Sequence, residues 1–292
     1  MKINLEKLNK EKSIKELLEF GIINIDKCSG PTSFNISDFV RKKLGLRKTS
    51  HFGTLDPKVT GVLPIALNRA CKLTGYFLGE DKEYIGIMRI HEDVSLKEIE
   101  KIIKNKFLGK IIQLPPVKSR VKREERQREI KKFELLENDG KNILFKVECE
   151  GGTYIRKLIS DLGDYMKIGA HMLELRRIRA GIFLEENIVN LHDFEEAVEE
   201  YENGNEKELR KIIIPGEIVS ELHPVIEINE KSVEMVLHGC PIYYKFLKKK
   251  IEFEKGEIIC VFCKNKFIGM YKVVNEGEIF AKSEFVMQPN SI

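Results

Sequence analysis

The sequence lacks a long apolar run. No segment of the 292-residue chain reaches about eighteen consecutive apolar residues, so we expect no membrane-spanning helix and no membrane partner. The N-terminal stretch MKINLEKLNKEKS carries no apolar segment after its lysines, and we expect no secretory signal there. Hydrophobic residues still make up 42% of the chain, which is enough for a real core in one large domain or two ordinary ones.

Common cofactor motifs are also missing. Neither a GxGxxG nor a GxxxxGK[ST] loop is present, so the sequence offers no Rossmann or P-loop nucleotide site. Of the 6 cysteines, Cys260 and Cys263 have metal-like spacing, but one CxxC without a second ligand pair is weak evidence for zinc. Residues three apart on a strand point to opposite faces. We therefore predict buried free thiols, no metal and a reducing compartment.

Charge is unevenly distributed along the chain. The net charge of +4 is modest and does not by itself indicate a nucleic-acid partner. However, residues 117–132 hold eight Lys or Arg against three Glu, whereas residues 193–208 hold eight acidic residues against one Lys. This polarity favours one face for a polyanion and another for solvent or a basic partner. Two solvated charged faces are the alternative.

The pattern of elements predicts two kinds of domain. Up to residue 222, strands such as 82–90 and 142–149 interleave irregularly with helices such as 95–107, which predicts an α+β domain with a mixed sheet. Beyond His223, short strands separated by glycine turns predict a small β-barrel of about seventy residues. We therefore assign residues 1–20 to an N-terminal extension, 21–222 to the mixed-sheet domain and 223–292 to the barrel.

One loop holds a single carboxylate in an unusual setting. The segment HFGTLDPKVTGVLP, residues 51–64, places Asp56 between two glycines and directly before Pro57. Glycine adopts backbone conformations closed to other residues, and proline fixes its own φ and restricts the residue before it. The segment therefore predicts a rigid, irregular loop that holds one acid in a defined position. On its own, however, an Asp-Pro turn is usually structural.

Four separated segments occur in the order expected of one known family. They are HFGTLDPKVTGVLP with Asp56, KEYIG with Tyr84, GGTYIRKL with Arg156, and GAHMLELRRIRAG with Leu175. GIINIDKCSGPTSF and GKIIQLPPVKSRVKR match as well, so the similarity extends over residues 21–181. The chain resembles the TruB/dyskerin family of pseudouridine synthases. The resemblance implies an isomerase that converts uridine in RNA to pseudouridine without a metal or an organic cofactor.

The resemblance also implies a role for each site residue. Asp56 would be the catalytic carboxylate, either as a nucleophile or as a general base, and the sequence leaves both roles open. Arg156 would pair with Asp56 and orient it. Tyr84 would stack on the base, and its hydroxyl could help to remove the C5 proton. Leu175 would wall the pocket, and His51 would either contact RNA or brace the loop.

Taken singly, the same residues have simpler explanations. A tyrosine in an apolar strand, such as Tyr84, and a leucine such as Leu175 are usually core residues. Arg156 lies on a predicted helix with Asp161 and Asp164 nearby, where a surface ion pair would be ordinary. The ordered set of segments is what favours the catalytic interpretation.

Two further regions are expected to contact RNA. The segment GKIIQLPPVKSRVKR resembles the family's thumb loop, and its basic residues Lys118, Arg120, Lys122 and Arg123 would meet backbone phosphates. A solubilising basic loop is the alternative. Residues 223–292 resemble a PUA domain, an RNA-binding β-barrel, on the segments HPVIEINEKSVEMVLHGCPI and KNKFIGMYKV.

Local features favour the dyskerin branch of the family. The thumb segment SRVKR, the loop TLDPKVTG and the opening HPVIEI resemble that branch, whereas Arg120, Lys157 and Phe52 depart from common patterns. The resemblance implies the catalytic subunit of an H/ACA ribonucleoprotein, which modifies rRNA and, as a further candidate, tRNA. Its partners would be a guide RNA, the substrate RNA and several small core proteins. Its location would be cytoplasmic in an archaeon and nucleolar in a eukaryote. The alternatives are a stand-alone tRNA T-loop synthase and an inactive RNA-binding scaffold.

Overall fold

The computed structural model describes residues 3–115 and 122–288. The chain divides into two compact units, one of residues 18–213 and the other of residues 1–17 together with 214–292. The domain boundaries expected at residues 20 and 222 stay predictions. Within the described ranges, no helix combines the length and the apolar character needed to cross a membrane.

The strands are numbered along the chain. They are β1 (Gly21–Lys27), β2 (Thr49–His51), β3 (Thr60–Leu67), β4 (Lys82–Ile90), β5 (Gly109–Gln113), β6 (Arg126–Asp139), β7 (Asn142–Cys149), β8 (Ala170–Ala180), β9 (Phe183–Leu184), β10 (Ile213–Pro215), β11 (Val225–Glu227), β12 (Ile242–Tyr243), β13 (Ile258–Cys263), β14 (Lys266–Glu276) and β15 (Ile279–Val286).

The helices are mostly short. The α-helices are α1 (Leu5–Glu11), α2 (Ile14–Glu19), α3 (Ser33–Lys43), α4 (Thr74–Leu78), α5 (Leu96–Ile102), α6 (Ile155–Met166), α7 (Leu191–Glu202), α8 (Lys207–Ile212) and α9 (Val233–Leu237). A π-helical turn, Ile103–Phe107, follows α5, and short 3-10 helices cover Asn68–Leu73, Glu185–Asn187, Gly216–Glu221, Glu230–Ser232 and Tyr244–Phe246.

The larger unit is built on a mixed sheet. Its strands follow the order β1-β3-β8-β4-β7-β6-β5, with β2 added to β3 and β9 to β8. The pair β3–β8 is parallel, whereas β1–β3, β4–β8, β4–β7, β6–β7 and β5–β6 are antiparallel. Parallel and antiparallel pairs in one sheet, combined with helices, confirm the predicted α+β class.

Burial follows the apolar pattern of the strands. Nearly every residue of β1 and β3 is buried, as their continuous apolar runs require. In β4 and β7, buried and partly exposed residues alternate, so one face of each strand packs into the core. Helix α6 lies against β8, and Gly163 permits this contact because a Cβ there would lie 2.1 Å from the Ala170 nitrogen.

The smaller unit has a separate sheet and core. Its strands follow the order β11-β13-β14-β15-β12, and the β11–β13 pair is parallel. Side chains of β13, β14 and β15 pack with helix α9 around Tyr271 and Phe280. Cys260 and Cys263 are both buried and free. Among the described residues, no group of three or more His, Cys, Asp or Glu could hold a metal ion.

Candidate active site

The Asp56 carboxylate and the Arg156 guanidinium meet at the surface of the larger unit. The distance from Arg156 Nη2 to Asp56 Oδ2 is 2.7 Å, and the two side chains are 57% and 47% exposed. Gly53 and Gly61, on either side of Asp56, both have a φ of +99°, in the region that favours glycine. The loop is therefore irregular in the way the sequence predicts, and it presents the expected pair to solvent.

A buried lysine supports this loop from below. Lys27, the last residue of β1, is fully buried, and its ammonium donates hydrogen bonds to the carbonyls of Cys28, Pro57 and Val59 at 2.8–2.9 Å. Burial lowers the pKa of Lys27, and the charge of Asp56 acts in the opposite direction. The lysine thus ties the chain immediately after Asp56 to the end of β1. Lys27 ends an apolar strand run within the matched segment GIINIDKCSGPTSF, but its role could not be inferred from the sequence.

A serine holds the residue just before Asp56. The buried hydroxyl of Ser33, at the start of α3, accepts from the Leu55 N–H at 2.8 Å and donates to the Leu55 carbonyl at 3.0 Å. Helix α3 is itself anchored by a capping box between Thr32 and Asn35. The loop that carries Asp56 is therefore held on both sides of this residue. Ser33 bonds Leu55, and Lys27 bonds Pro57 and Val59.

A second buried cation connects the loop to the sheet. Arg177 on β8 is 1% exposed; its Nε donates to the Val62 carbonyl at 2.7 Å and its Nη2 to the Gly53 carbonyl at 3.0 Å. Burial lowers the pKa of Arg177, and interaction with Tyr84 acts in the opposite direction. Gly61 lies against the same residue, since a Cβ there would come within 2.2 Å of the Arg177 carbonyl oxygen. Arg177 stands in the matched segment GAHMLELRRIRAG, but its role could not be inferred from the sequence.

Tyr84 is a buried residue of the larger unit, and the charge of Asp56 acts on its phenol. It is 8% exposed on β4, and burial raises the pKa of its phenol; Asp56 contributes a smaller effect in the same direction. The positive charge of Arg177 acts against burial and lowers the pKa of the Tyr84 phenol. The prediction that this hydroxyl removes the C5 proton stays a prediction. Leu175 is also buried, and its Cδ1 lies against Gly86 of β4, where an added Cβ would be 2.9 Å away.

His51 contacts the loop that carries Asp56. Its Nε2 lies 3.0 Å from the Thr54 hydroxyl, at the beginning of the catalytic loop. Burial, with a smaller effect from the charge of Arg177, lowers the pKa of His51. The two predicted roles of His51, contact with RNA and bracing of the loop, both stay predictions.

The thumb is described in part. Lys118 and Arg120 lie outside the described residues. Lys122 and Arg123 are exposed, and Lys122 pairs with Glu124. Their predicted contacts with phosphates stay predictions.

Sequence comparison identifies the family. The N-terminal domain of TruB family pseudouridylate synthases matches residues 41–155, and the C-terminal domain of tRNA pseudouridylate synthase B matches residues 156–220. The chain belongs to the TruB family of pseudouridine synthases. It is therefore an isomerase that acts on RNA, as the motifs predicted.

Curated relatives of this TruB family member come from archaea. A probable tRNA pseudouridine synthase B of Methanopyrus kandleri is 44% identical over 254 residues, which cover 86% of this chain and 75% of the relative. A protein of the same description from Methanococcus maripaludis is 40% identical over 291 residues, covering 96% of this chain and 87% of the relative.

Solved structures extend the similarity to both units. A chain in a crystal structure of a Cbf5-Nop10-Gar1 complex has a TM-score of 0.88 and 36% identity, covering 96% of this chain and 89% of that one. A chain in an H/ACA RNP bound to a substrate RNA containing 2'-deoxyuridine has a TM-score of 0.86 and 35% identity, with the same coverage.

Proposed function

We propose that this TruB family enzyme is the catalytic subunit of an H/ACA ribonucleoprotein and converts uridine to pseudouridine in rRNA, with tRNA as a further candidate. The Asp56–Arg156 contact of 2.7 Å, on a loop fixed by buried side chains, carries the catalytic part of the proposal. Similarity to chains solved in Cbf5-Nop10-Gar1 and H/ACA assemblies supports the choice of particle. Its partners are then a guide RNA, the substrate RNA and small core proteins.

The proposed reaction needs access to a base that a helix would hide. Extruding the base costs about a few kcal/mol. Asp56 then acts as a nucleophile or a general base while the N1–C1' bond breaks and the C5–C1' bond forms. Arg156 fixes the carboxylate, the Tyr84 ring offers a flat surface for the base, and Leu175 forms an apolar wall. The proton released from C5 passes to water and N1 takes up a proton from water, so the isomerisation balances without a further reactant.

The smaller unit supplies a further RNA contact in this proposal. We assign residues 223–292 as a PUA barrel, supported by the five-stranded sheet and its own apolar core. A cavity of about 490 Å³ lies beside Lys248, Lys249 and Lys250, with Tyr244 and Phe253 in its wall. Positive charge next to aromatic rings suits a nucleic-acid strand. Because the relatives named above are archaeal, we propose a cytoplasmic location.

Tritium release from C5-labelled RNA tests the catalytic part of the proposal. In a particle reconstituted with a matched guide, Asp56→Asn should lower turnover by about 10²- to 10⁴-fold or more, because the carboxylate takes part in the chemistry. Asp93→Asn, at an exposed aspartate on the turn after β4, is the matched control and should turn over like wild type. Unchanged turnover by Asp56→Asn would refute the assigned chemistry.

The dependence of turnover on a guide RNA distinguishes the proposed H/ACA particle from the two alternative functions. The curated description of relatives as tRNA pseudouridine synthase B favours a stand-alone tRNA enzyme as the second candidate. Under our proposal, turnover rises strongly when a matched guide and the core proteins are added. Equally rapid conversion of naked tRNA without them would reject H/ACA guidance. Tight RNA binding without any tritium release would instead indicate a scaffold.

A further inference from the structure

A buried glutamine at the root of the thumb bonds the segment that carries Arg156. Gln113 is the last residue of β5 and is 2% exposed. Its Oε1 accepts from the Tyr154 N–H at 3.0 Å, and its Nε2 donates to the Tyr154 carbonyl at 3.2 Å. The side-chain amide thus pairs with both polar groups of one backbone residue, 41 positions further along the chain.

Tyr154 is the residue from which α6 begins, and Arg156 lies in the first turn. The Tyr154 side chain makes no capping hydrogen bond to this helix. In a capping box, a Glu or Gln three residues after the N-cap accepts from the N-cap N–H. That position is Lys157 here, which is a cation and pairs with Asp161 instead. Gln113, at the end of strand β5, accepts from the Tyr154 N–H in place of a residue of helix α6.

The neighbouring strand β6 holds the same turn. The Glu150 N–H donates to the Glu129 carbonyl at 2.9 Å, and the Glu129 N–H donates to Glu150 Oε2 at 3.2 Å. Gly152, with a φ of +86°, brings the backbone so close to Arg128 that a Cβ would lie 3.2 Å from its Nη2. Since β5 and β6 are paired, both strands at the thumb root fix the turn that leads into α6.

We propose that Gln113 is a positioning residue that sets the distance between Arg156 and Asp56. The inference rests on the proposed role of Arg156. The Arg156 side chain is 57% exposed, so packing around the side chain contributes little to its position. The start of α6 therefore determines where the guanidinium lies. A shift of about 1 Å at this point would lengthen the 2.7 Å contact beyond hydrogen-bond distance.

A double-mutant cycle separates positioning from stability. Gln113→Met keeps a side chain of similar volume and removes both hydrogen bonds to the Tyr154 backbone. We expect its kcat to fall by about ten- to a hundredfold, with an unchanged KM for RNA, because displacement of about 1 Å has effects of this size. Added to Arg156→Met, the same substitution should cause no further loss, because it acts through that arginine. Multiplicative losses in the double variant would overturn the proposal.

A control tests for general weakening of the thumb root. Ile130→Val removes one buried methyl group from β6, whose Ile130 is paired with Cys149 just before the same turn. We expect this variant to lose stability and to retain the wild-type kcat at a temperature where it is folded. A parallel fall in kcat would show that loosening of the root is sufficient and would overturn the specific role of Gln113.

A structural measurement decides the inference independently of turnover. In a crystal structure of Gln113→Met, the Arg156–Asp56 distance should exceed about 3.5 Å. A distance that stays at 2.7 Å would overturn the proposal even if the enzyme lacked activity on every RNA tested. If Gln113→Met does not fold, Gln113→Glu carries the same tests, since it keeps the acceptor for the Tyr154 N–H and loses the donor. An inactive wild-type particle would count against the proposed function alone.

Discussion

Replacing Lys27 by methionine tests how the catalytic loop is held. The substitution keeps a side chain of similar length and removes the ammonium group. In the folded protein this group donates to the carbonyls of Cys28, Pro57 and Val59 at 2.8–2.9 Å, and the lysine is fully buried. Two of the three carbonyls lie within three residues after Asp56. The substitution therefore perturbs both the stability of the unit and the position of the carboxylate.

The expected cost follows from the acceptors that lose a donor. The Pro57 carbonyl also accepts the Gly30 N–H at 2.9 Å, and Cys28 is exposed, so water can replace the ammonium at its carbonyl. The bond to the Val59 carbonyl is buried, and a buried acceptor left without a partner costs about 1–3 kcal/mol. Removing Lys27 also removes the desolvation cost of a buried charge, which offsets part of this loss. We expect the free energy of unfolding to fall by about 1–3 kcal/mol.

Urea unfolding and turnover together test the estimate. The urea midpoint of Lys27→Met should fall with an unchanged slope. Tritium release, measured where the variant is still folded, should fall by about 10²-fold, because the carboxylate is displaced. Lys58→Met, on the same loop but exposed, is the matched control and should unfold within about 0.5 kcal/mol of wild type. If Lys27→Met behaves like Lys58→Met in both measurements, the buried ammonium does not hold the loop.

Three further outcomes are expected. Burial lowers the pKa of Lys82 from 10.5 to about 8. Between these two pH values the unfolded chain binds more protons than the folded chain, so the free energy of unfolding rises with pH, by about 3 kcal/mol at most. This rise should disappear in Lys82→Met when urea unfolding is followed from pH 7 to 10.5. Gly61→Ala should lower the unfolding free energy by more than about 3 kcal/mol, because its Cβ would lie 2.2 Å from a carbonyl oxygen of β8, whereas Gly140→Ala, with positive φ but open space, should lose about 1–2 kcal/mol. Thiol reagents should modify the exposed Cys28 in the native protein and reach Cys149, whose pKa burial raises to about 12, only on unfolding, which peptide mass spectrometry can follow.

Apolar patterning predicts much of the fold but not all of it. The alternation along β4 and β7 and the apolar runs of β1 and β3 predict strands, because burial on one face or on both leaves those patterns. Strand β6 does not show either pattern, so it could not be predicted in this way. Its buried residues include Ile130 and Phe133, three apart, because a β-bulge shifts the register between Ile130 and Lys132. The extra residue breaks the period of two, and most of the strand reads as charged and exposed.

Some residues of the candidate site could be predicted from the sequence and others could not. Asp56 and Arg156 could be predicted because their segments match the family, and the structure places them in contact. Lys27 and Arg177 could not be assigned a role, because their partners are backbone carbonyls far away in the sequence, 30 positions for Lys27 to Pro57 and 115 for Arg177 to Val62. Backbone acceptors leave no trace in residue identity, so such contacts become visible when the strands are placed.

The choice of carbonyl partners has an electrostatic consequence for the reaction. Lys27 and Arg177 bond neutral backbone oxygens of the loop, whereas carboxylates as partners would have placed further negative charge beneath Asp56. Added negative charge there would repel the Asp56 carboxylate and, under our proposal, an approaching phosphate backbone. Neutral acceptors still satisfy the buried donors, so the loop is held without that repulsion. The same arrangement therefore stabilises the loop and adds no negative charge where the proposed RNA substrate would approach Asp56.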